Sequence, residues 1–291
     1  MATIDTLADD LQEVIGSAKG KKLAKEAGIQ IGAMVAKKME KALGRDERPR
    51  RPSVLFPSEL GHPCDRKVWF GFNYDPATMA AKETVGGQAR IKFAYGDIIE
   101  AMVIPLIHVA GHEVTDVNKR IKFDVPGCDG WTVEGAMDLK VDGVVVDVKS
   151  MNARSFESWM RDPDEADKFG YGYQIGAYAY AEGQEGPPVV LAINKENGKV
   201  AQFEPTEPDV LKAANRKAQY ASASLNLGTH LPSVPMGKNM KLGTTCSYCE
   251  YKVECWKKAN GGTGLRKFLY AAGPVWLTEV NEVPRVPEVP V

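Results

Sequence analysis

Apolar residues recur at helical spacing from the start of the chain. Leu7, Leu11, Val14 and Ile15 share one helix face, and Ile29, Ile31, Met34, Val35, Met39 and Leu43 share another. Residues 1–44 therefore predict helix, interrupted at Gly16 and Gly20. Residues 44–52 are charged and proline-bearing and predict a linker. Tyr95, Ile98, Ile99, Met102 and Leu106 predict a helix over 91–109. The pattern then changes to alternating or β-branched residues over 119–125, 132–141 and 144–150, which predicts strands. Asp142-Gly143 between the last two is a hairpin signal. Helices follow over 156–160 and 171–181. A strand pair over 189–194 and 199–203 turns at Asn197-Gly198, and a helix covers 208–227. Residues 283–291 are Pro-rich and predict a flexible tail. These elements make a mixed α/β core.

The 291 residues divide into four segments. They are a helical extension and linker (1–52), a core (53–235), a cysteine-rich segment (236–270) and a tail (271–291). At 44% hydrophobic and 26% charged, the composition is that of a globular chain able to bury a core. No run of about 18 apolar residues predicts a membrane span. The polar, acidic start predicts no signal peptide, so the expected location is cytoplasmic, in a prokaryotic cell or a virus-infected host. Net charge is −1, but its distribution is uneven. Residues 19–51 carry eleven Lys or Arg against four Asp or Glu, and residues 238–267 carry seven against two. Basic flanks around an acidic centre suit a phosphodiester substrate, although the first run alone reads as a solvated helix face.

The predicted hairpin carries the sharpest chemistry. Side chains alternate along a strand, so Val144, Val146 and Val148 fall on one face and Val145, Asp147 and Lys149 on the other. The valines call for a core, which points the Asp-x-Lys pair away from it. Asp138, five positions before Gly143, comes alongside Asp147 through hairpin pairing. Two carboxylates suit a hard cation such as Mg²⁺, and a nearby ammonium can orient a water, take its proton or stabilise phosphate oxygens. Asp-x-Lys alone reads first as a surface ion pair, because such tripeptides are common. Its context adds Glu100, one turn after Gly96, and Gln174 and Tyr178, four apart on one helix face.

The ordered set Gly96-x-x-x-Glu100, Asp138, Asp147-x-Lys149 and Gln174-x-x-x-Tyr178 resembles the PD-(D/E)xK nucleases of the RecB type over residues 60–260. The resemblance implies a restriction-endonuclease-like core, a mixed central sheet flanked by helices. It makes Glu100, Asp138 and Asp147 ligands for Mg²⁺ or Mn²⁺ and Lys149 the catalytic lysine. Gln174 and Tyr178 would support the site and contact DNA. Glu100 stands where many relatives carry histidine, and Asp147 is the shorter variant of a frequent glutamate.

Of five cysteines, Cys246, Cys249 and Cys255 have a metal-like spacing, and Cys64 is the candidate fourth ligand. Spacing alone does not separate tetrahedral Zn²⁺ from iron–sulfur. One distant cysteine before the nuclease motifs and three after them resembles the iron–sulfur exonucleases of the AddB and CRISPR-adaptation kind. That resemblance implies a structural [4Fe–4S] cluster in a C-terminal segment closing the core. His62 is an alternative ligand for zinc. Cys128 reads as an uninvolved thiol, and His108 and His112 as incidental. Arg66, Lys67, Lys252, Lys257 and Lys258 offer a basic surface, and Trp69, Tyr248, Tyr251 and Trp256 either stack on bases or pack around the cysteines.

The expectation is a metal-dependent DNA exonuclease acting on single-stranded ends in recombination, repair or replication. Its N-terminal helices are a candidate dock for a helicase or another replication or recombination protein. The alternatives are a non-catalytic, zinc-stapled DNA-binding module and an accessory protein that docks a helicase or polymerase.

Overall fold

The computed structural model describes residues 3–17, 28, 31–40, 50–83, 87–206, 208–223 and 229–291. Ile29, Leu43, Gly20 and most of the predicted linker lie outside them. In chain order the first elements are α1 (Leu7–Gly16), α2 (residues 31–40), β1 (Val54–Leu55), α3 (Pro57–Leu60), α4 (Asp65–Asn73) and α5 (Gly87–Val109). There follow β2 (Val114–Thr115), β3 (Arg120–Asp124), β4 (Thr132–Ala136), β5 (Leu139–Val141), β6 (Val144–Met151), α6 (Ala153–Arg161), α7 (Pro163–Ala166) and α8 (Tyr171–Ala181). The rest are β7 (Val189–Asn194), β8 (Val200–Phe203), α9 (Val210–Ser222), β9 (Val234–Met236), β10 (Asn239–Lys241), α10 (Thr244–Ser247), α11 (Lys252–Cys255), α12 (Ala259–Gly262), β11 (Arg266–Tyr270), β12 (Gly273–Glu279) and β13 (Glu288–Val289).

The chain forms two compact units, Met1–Gly61 with Gly86–Asn215 and His62–Val85 with Arg216–Val291. These boundaries differ from the four segments drawn from composition. The first unit is built on a mixed sheet of order β2-β5-β6-β7-β8, with β6 antiparallel to β5 and parallel to β7. Asp142 and Gly143 both adopt positive φ (51° and 83°), as a two-residue hairpin turn requires. A three-stranded sheet, β1-β4-β3, stands apart from it. The strand expected over 132–141 is therefore two strands in different sheets, broken at Met137-Asp138. The backbone at the break is satisfied by residues 118 and 119: Asn118 N–H donates to Asp138 O (2.8 Å), and Met137 N–H donates to Lys119 O (3.0 Å).

Strand β6 has a core on both faces, not one. Val146 and Val148 join Leu7, Leu11, Val103, Ile104 and Ile107 in one cluster, while Val145 joins Phe156, Trp159, Ile175 and Tyr178 in another. A strand between two helical layers is apolar throughout, because a parallel neighbour needs a crossover that covers the sheet. The expectation that Asp147 and Lys149 point away from the core is corrected accordingly: Asp147 is 1% exposed. The N-terminal helix is also more than an extension. Leu7 and Leu11 are fully buried, and each such side chain contributes about 1.5–3 kcal/mol by leaving water.

The second unit contains the sheet β13-β11-β12-β10-β9. Pairing of Lys267 with Val289 and Phe268 with Glu288 brings the end of the chain into it. The free tail expected over 283–291 is thus corrected at residues 288–289. Prolines on either side are tolerated because β13 is an edge strand. No described helix is long and apolar enough to cross a membrane.

Candidate active site and cysteine cavity

Asp147 is held on β6 between two other strands. Its carboxylate Oδ2 pairs with Lys149 Nζ at 2.5 Å, and its buried Oδ1 has no hydrogen-bond partner. Asp138, released from the ladders by the break before β5, accepts a hydrogen bond from Val148 N–H through Oδ2 (2.9 Å). Glu100 comes from α5, where its inner-face neighbours Val103, Ile104 and Ile107 pack in the core. Its Oε1 is buried and forms an ion pair with Lys38 of α2. Gly96 is not sterically required in its motif. An added Cβ would meet Ser150 Oγ at 3.6 Å, an ordinary contact.

Burial is the first cause of a raised Asp147 carboxyl pKa, and the negative fields of Asp138 and Glu100 add to it against the pull of Lys149. Glu100 is raised too, by burial and then by Asp138, with Lys38 opposing. Burial favours neutral Lys149, but Asp147 and Asp138 outweigh it and push its pKa up. Lys149 is thus an ammonium here, able to donate and not to accept a proton. Its Nζ lies 4.8 Å from the Tyr171 ring centroid. Gln174 Nε2 donates to Tyr178 Oη (3.2 Å). Burial first and then Asp147 push the Tyr178 hydroxyl pKa upward, so this tyrosine stays protonated beside the carboxylates.

The structure thus brings Glu100, Asp138, Asp147, Lys149 and Tyr178 into one electrostatic neighbourhood, with Gln174 bonded to Tyr178. Sequence reasoning missed Tyr171 and Lys38. Tyr171 was findable, since residues 171, 174 and 178 share a helix face. Lys38 sits in a basic run and gave no signal. Among the described residues, no set of three or more His, Cys, Asp or Glu side chains stands arranged around a metal position. Two ammonium groups pair with the acids instead. The donor set nevertheless fits a hard cation: the buried Asp147 Oδ1 has no partner, and a buried carboxylate oxygen is unfavourable unless a charge or a donor compensates it.

In the second unit, Cys64, Cys246, Cys249 and Cys255 line one cavity with His62, Phe70 and Trp256. Cys64 immediately precedes α4, Cys246 lies in α10, Cys249 in the turn between α10 and α11, and Cys255 at the end of α11. Burial, aided by the neighbouring thiols, pushes Cys246 up to about 11; burial above all pushes Cys249 up to about 12. Without a metal these two thiols are protonated at neutral pH. Arg66 Nε donates to Cys255 Sγ (3.2 Å). Burial, with Lys67 and Lys217, lowers His62 to about 4, and its Nδ1 accepts the Cys64 N–H (3.1 Å). Only Nε2 of His62 is left for a metal.

Trp69 and Tyr251 pack with Phe70 and Cys249 in one cluster, whereas Tyr248 is 70% exposed. The expectation of Lys252 on a basic surface is corrected. It is 2% exposed, pairs with Glu83, donates to Ser247 O (2.8 Å) and lies over the Trp276 ring.

A family model described as the PD-(D/E)XK nuclease superfamily matches residues 80–256. That span includes Glu100, Asp138, Asp147, Lys149, Gln174, Tyr178, Cys246, Cys249 and Cys255, and leaves out Lys38, His62 and Cys64. A solved structure described as the crystal structure of SSO0001 is similar at TM-score 0.46 and 17% identity, covering 77% of this chain and 94% of that one. No curated protein matches.

Proposed function

The chain belongs to the PD-(D/E)XK nuclease superfamily, and from that premise we propose that it is a metal-dependent DNA exonuclease acting on single-stranded ends. The observation that carries this reading is the group of buried Glu100 and Asp147 and half-buried Asp138 with the Lys149 ammonium beside them. Three carboxylates in one neighbourhood repel one another, and the unpartnered Asp147 Oδ1 has the character of a cation ligand. Mg²⁺ or Mn²⁺ bound there supplies Lewis acidity toward water and toward the phosphoryl oxygens. Asp138 and Asp147 would hold the cation, and Glu100 would add a third oxygen donor. Lys149, kept charged by Asp147, donates to a phosphate oxygen and orients the attacking water. Tyr178 and Gln174 brace the carboxylates. Hydrolysis forms a bond from water oxygen to phosphorus and breaks the bond to the 3′-oxygen, leaving a 5′-phosphate and a 3′-hydroxyl.

The second part of the proposal concerns the cysteines. Convergence of four thiols on one cavity supports a structural [4Fe–4S] cluster held by Cys64, Cys246, Cys249 and Cys255, with Zn²⁺ as the alternative occupant. Anaerobically purified protein is then brown; colourless protein with one equivalent of zinc replaces the iron assignment. The partner is DNA, and the N-terminal helices remain the proposed dock for a helicase or another replication or recombination protein.

The deciding experiment for the nuclease reading is cleavage of end-labelled single- and double-stranded DNA with Mg²⁺ or Mn²⁺. The expected result is stepwise shortening of single strands that stops when EDTA is added. Binding without cleavage under all these conditions rejects the enzyme in favour of a DNA-binding module.

A further inference from the structure

One residue at the carboxylate site comes from outside the span matched by the family model. Lys38 of α2 sets its ammonium on Glu100 Oε1, and both side chains are largely buried (13% and 12% exposed). The contact is anchored. Met34 lies one turn earlier on the same helix face and packs against the cluster that contains Val103, Ile104 and Ile107, the residues that follow Glu100 on the inner face of α5. The side chain of Lys38 is therefore delivered to Glu100 by packed structure.

Charge balance gives the contact a meaning. Glu100, Asp138 and Asp147, when ionised, carry three negative charges against one positive charge on Lys149. With Lys38 the sum is −1. A divalent cation with Lys149 alone brings it to zero, while a divalent cation with both lysines leaves a surplus of +1. An ammonium and a divalent cation that share Glu100 Oε1 repel each other in a site where screening is weak. A buried ion pair also contributes little to stability by itself, because desolvation offsets the attraction.

We infer that Lys38 is a built-in counter-ion of the carboxylate site, one that holds Glu100 in the metal-free protein and is displaced when a divalent cation binds. This rests on the reading of Glu100, Asp138 and Asp147 as a cation site. It makes α2 a determinant of the metal requirement.

The test is Mn²⁺ binding to the full chain, read by free-Mn²⁺ electron paramagnetic resonance and by melting temperature. The variants are Lys38→Met, Lys38→Gln and Lys38→Arg. Gln keeps a hydrogen-bond donor for Glu100 and covers the case in which Met prevents folding. Loss of the charge should lower the half-saturating Mn²⁺ concentration by on the order of tenfold. It should also lower the metal-free melting temperature and enlarge the rise produced by Mn²⁺. Lys38→Arg should keep the wild-type midpoint. A neutral variant that binds Mn²⁺ no more tightly than wild type overturns the inference while leaving the cation site standing. Absence of Mn²⁺ binding by the wild-type chain overturns both.

Discussion

Asp147 and Cys249 are both buried acids whose proton affinity is raised by burial, yet they sit in opposite settings. Asp147 is pinned on β6, a strand between β5 and β7, with an ammonium 2.5 Å away and two more carboxylates near enough to raise its pKa. Cys249 lies in a short turn between α10 and α11 and packs against Phe70 and Tyr251. Carboxylates with lysine counter-ions suit an ion that exchanges. Thiols that keep their protons to about 11 and 12 bind a metal only by releasing those protons, which suits a group acquired once and retained. On the proposed function, the first site serves an ion that exchanges and the second a group that is retained.

The comparison can be broken most forcefully at the first site. Asp147→Ala and Lys149→Ala should each lower DNA cleavage by on the order of 10²–10⁴-fold while the protein still folds and keeps its cysteine-bound metal. Wild-type cleavage in both variants rejects the active-site assignment. At the second site, Cys64→Ala should abolish retained metal and lower the melting temperature by about 10 °C or more, since a structural metal contributes directly to folding. Unchanged metal content removes Cys64 from the ligand set. Asp138→Ala should weaken Mn²⁺ binding by roughly 10–100-fold, the range seen when metal-site partners are lost. Calorimetry that gives equal affinities contradicts its role.

A pH series sharpens the contrast further. The raised Asp147 pKa means that the folded, metal-free protein holds this proton more tightly than the unfolded chain. The resulting stability is fully present below the unfolded carboxyl value of about 3.9 and is lost as pH rises through the higher folded value. In EDTA, melting temperature should decline between about pH 4 and pH 7, with a smaller decline in Asp147→Asn. Equal slopes would assign the effect to other groups. The smallest expected effect is that of Tyr178→Phe. It removes the hydroxyl that accepts from Gln174 at 3.2 Å, worth about 1 kcal/mol, and should reduce cleavage only a few-fold.

Much of this was legible in the chain because local rules suffice for it. The Asp142-Gly143 turn, the span of α8 at residues 171–181 and β7 at 189–194 follow from periodicity and turn chemistry. The cysteine spacing was legible because cysteine is scarce, with five in 291 residues. Asp138 was placed correctly beside β6, but for an incomplete reason. It does not sit within a long hairpin strand; it sits at a break where the chain passes from one sheet to another. Alternation cannot reveal such a break, since residues 132–141 keep a strand-like pattern through it.

By itself, then, the sequence determined the order of the motif residues, the hairpin turn that leads into the strand of Asp147 and Lys149, and the apolar faces of the helices. These depend on neighbours a few positions apart, where backbone geometry dictates which side chains share a face. Only the tertiary structure decided that β6 is covered on both faces, that residues 288–289 form an edge strand, and that Lys38 reaches Glu100. Each of those depends on residues far apart in the chain, and their burial and charge follow from how the elements pack. Asp147 shows the division most clearly. Its position on a strand is local, but the desolvation that raises its proton affinity belongs to the packed core around it.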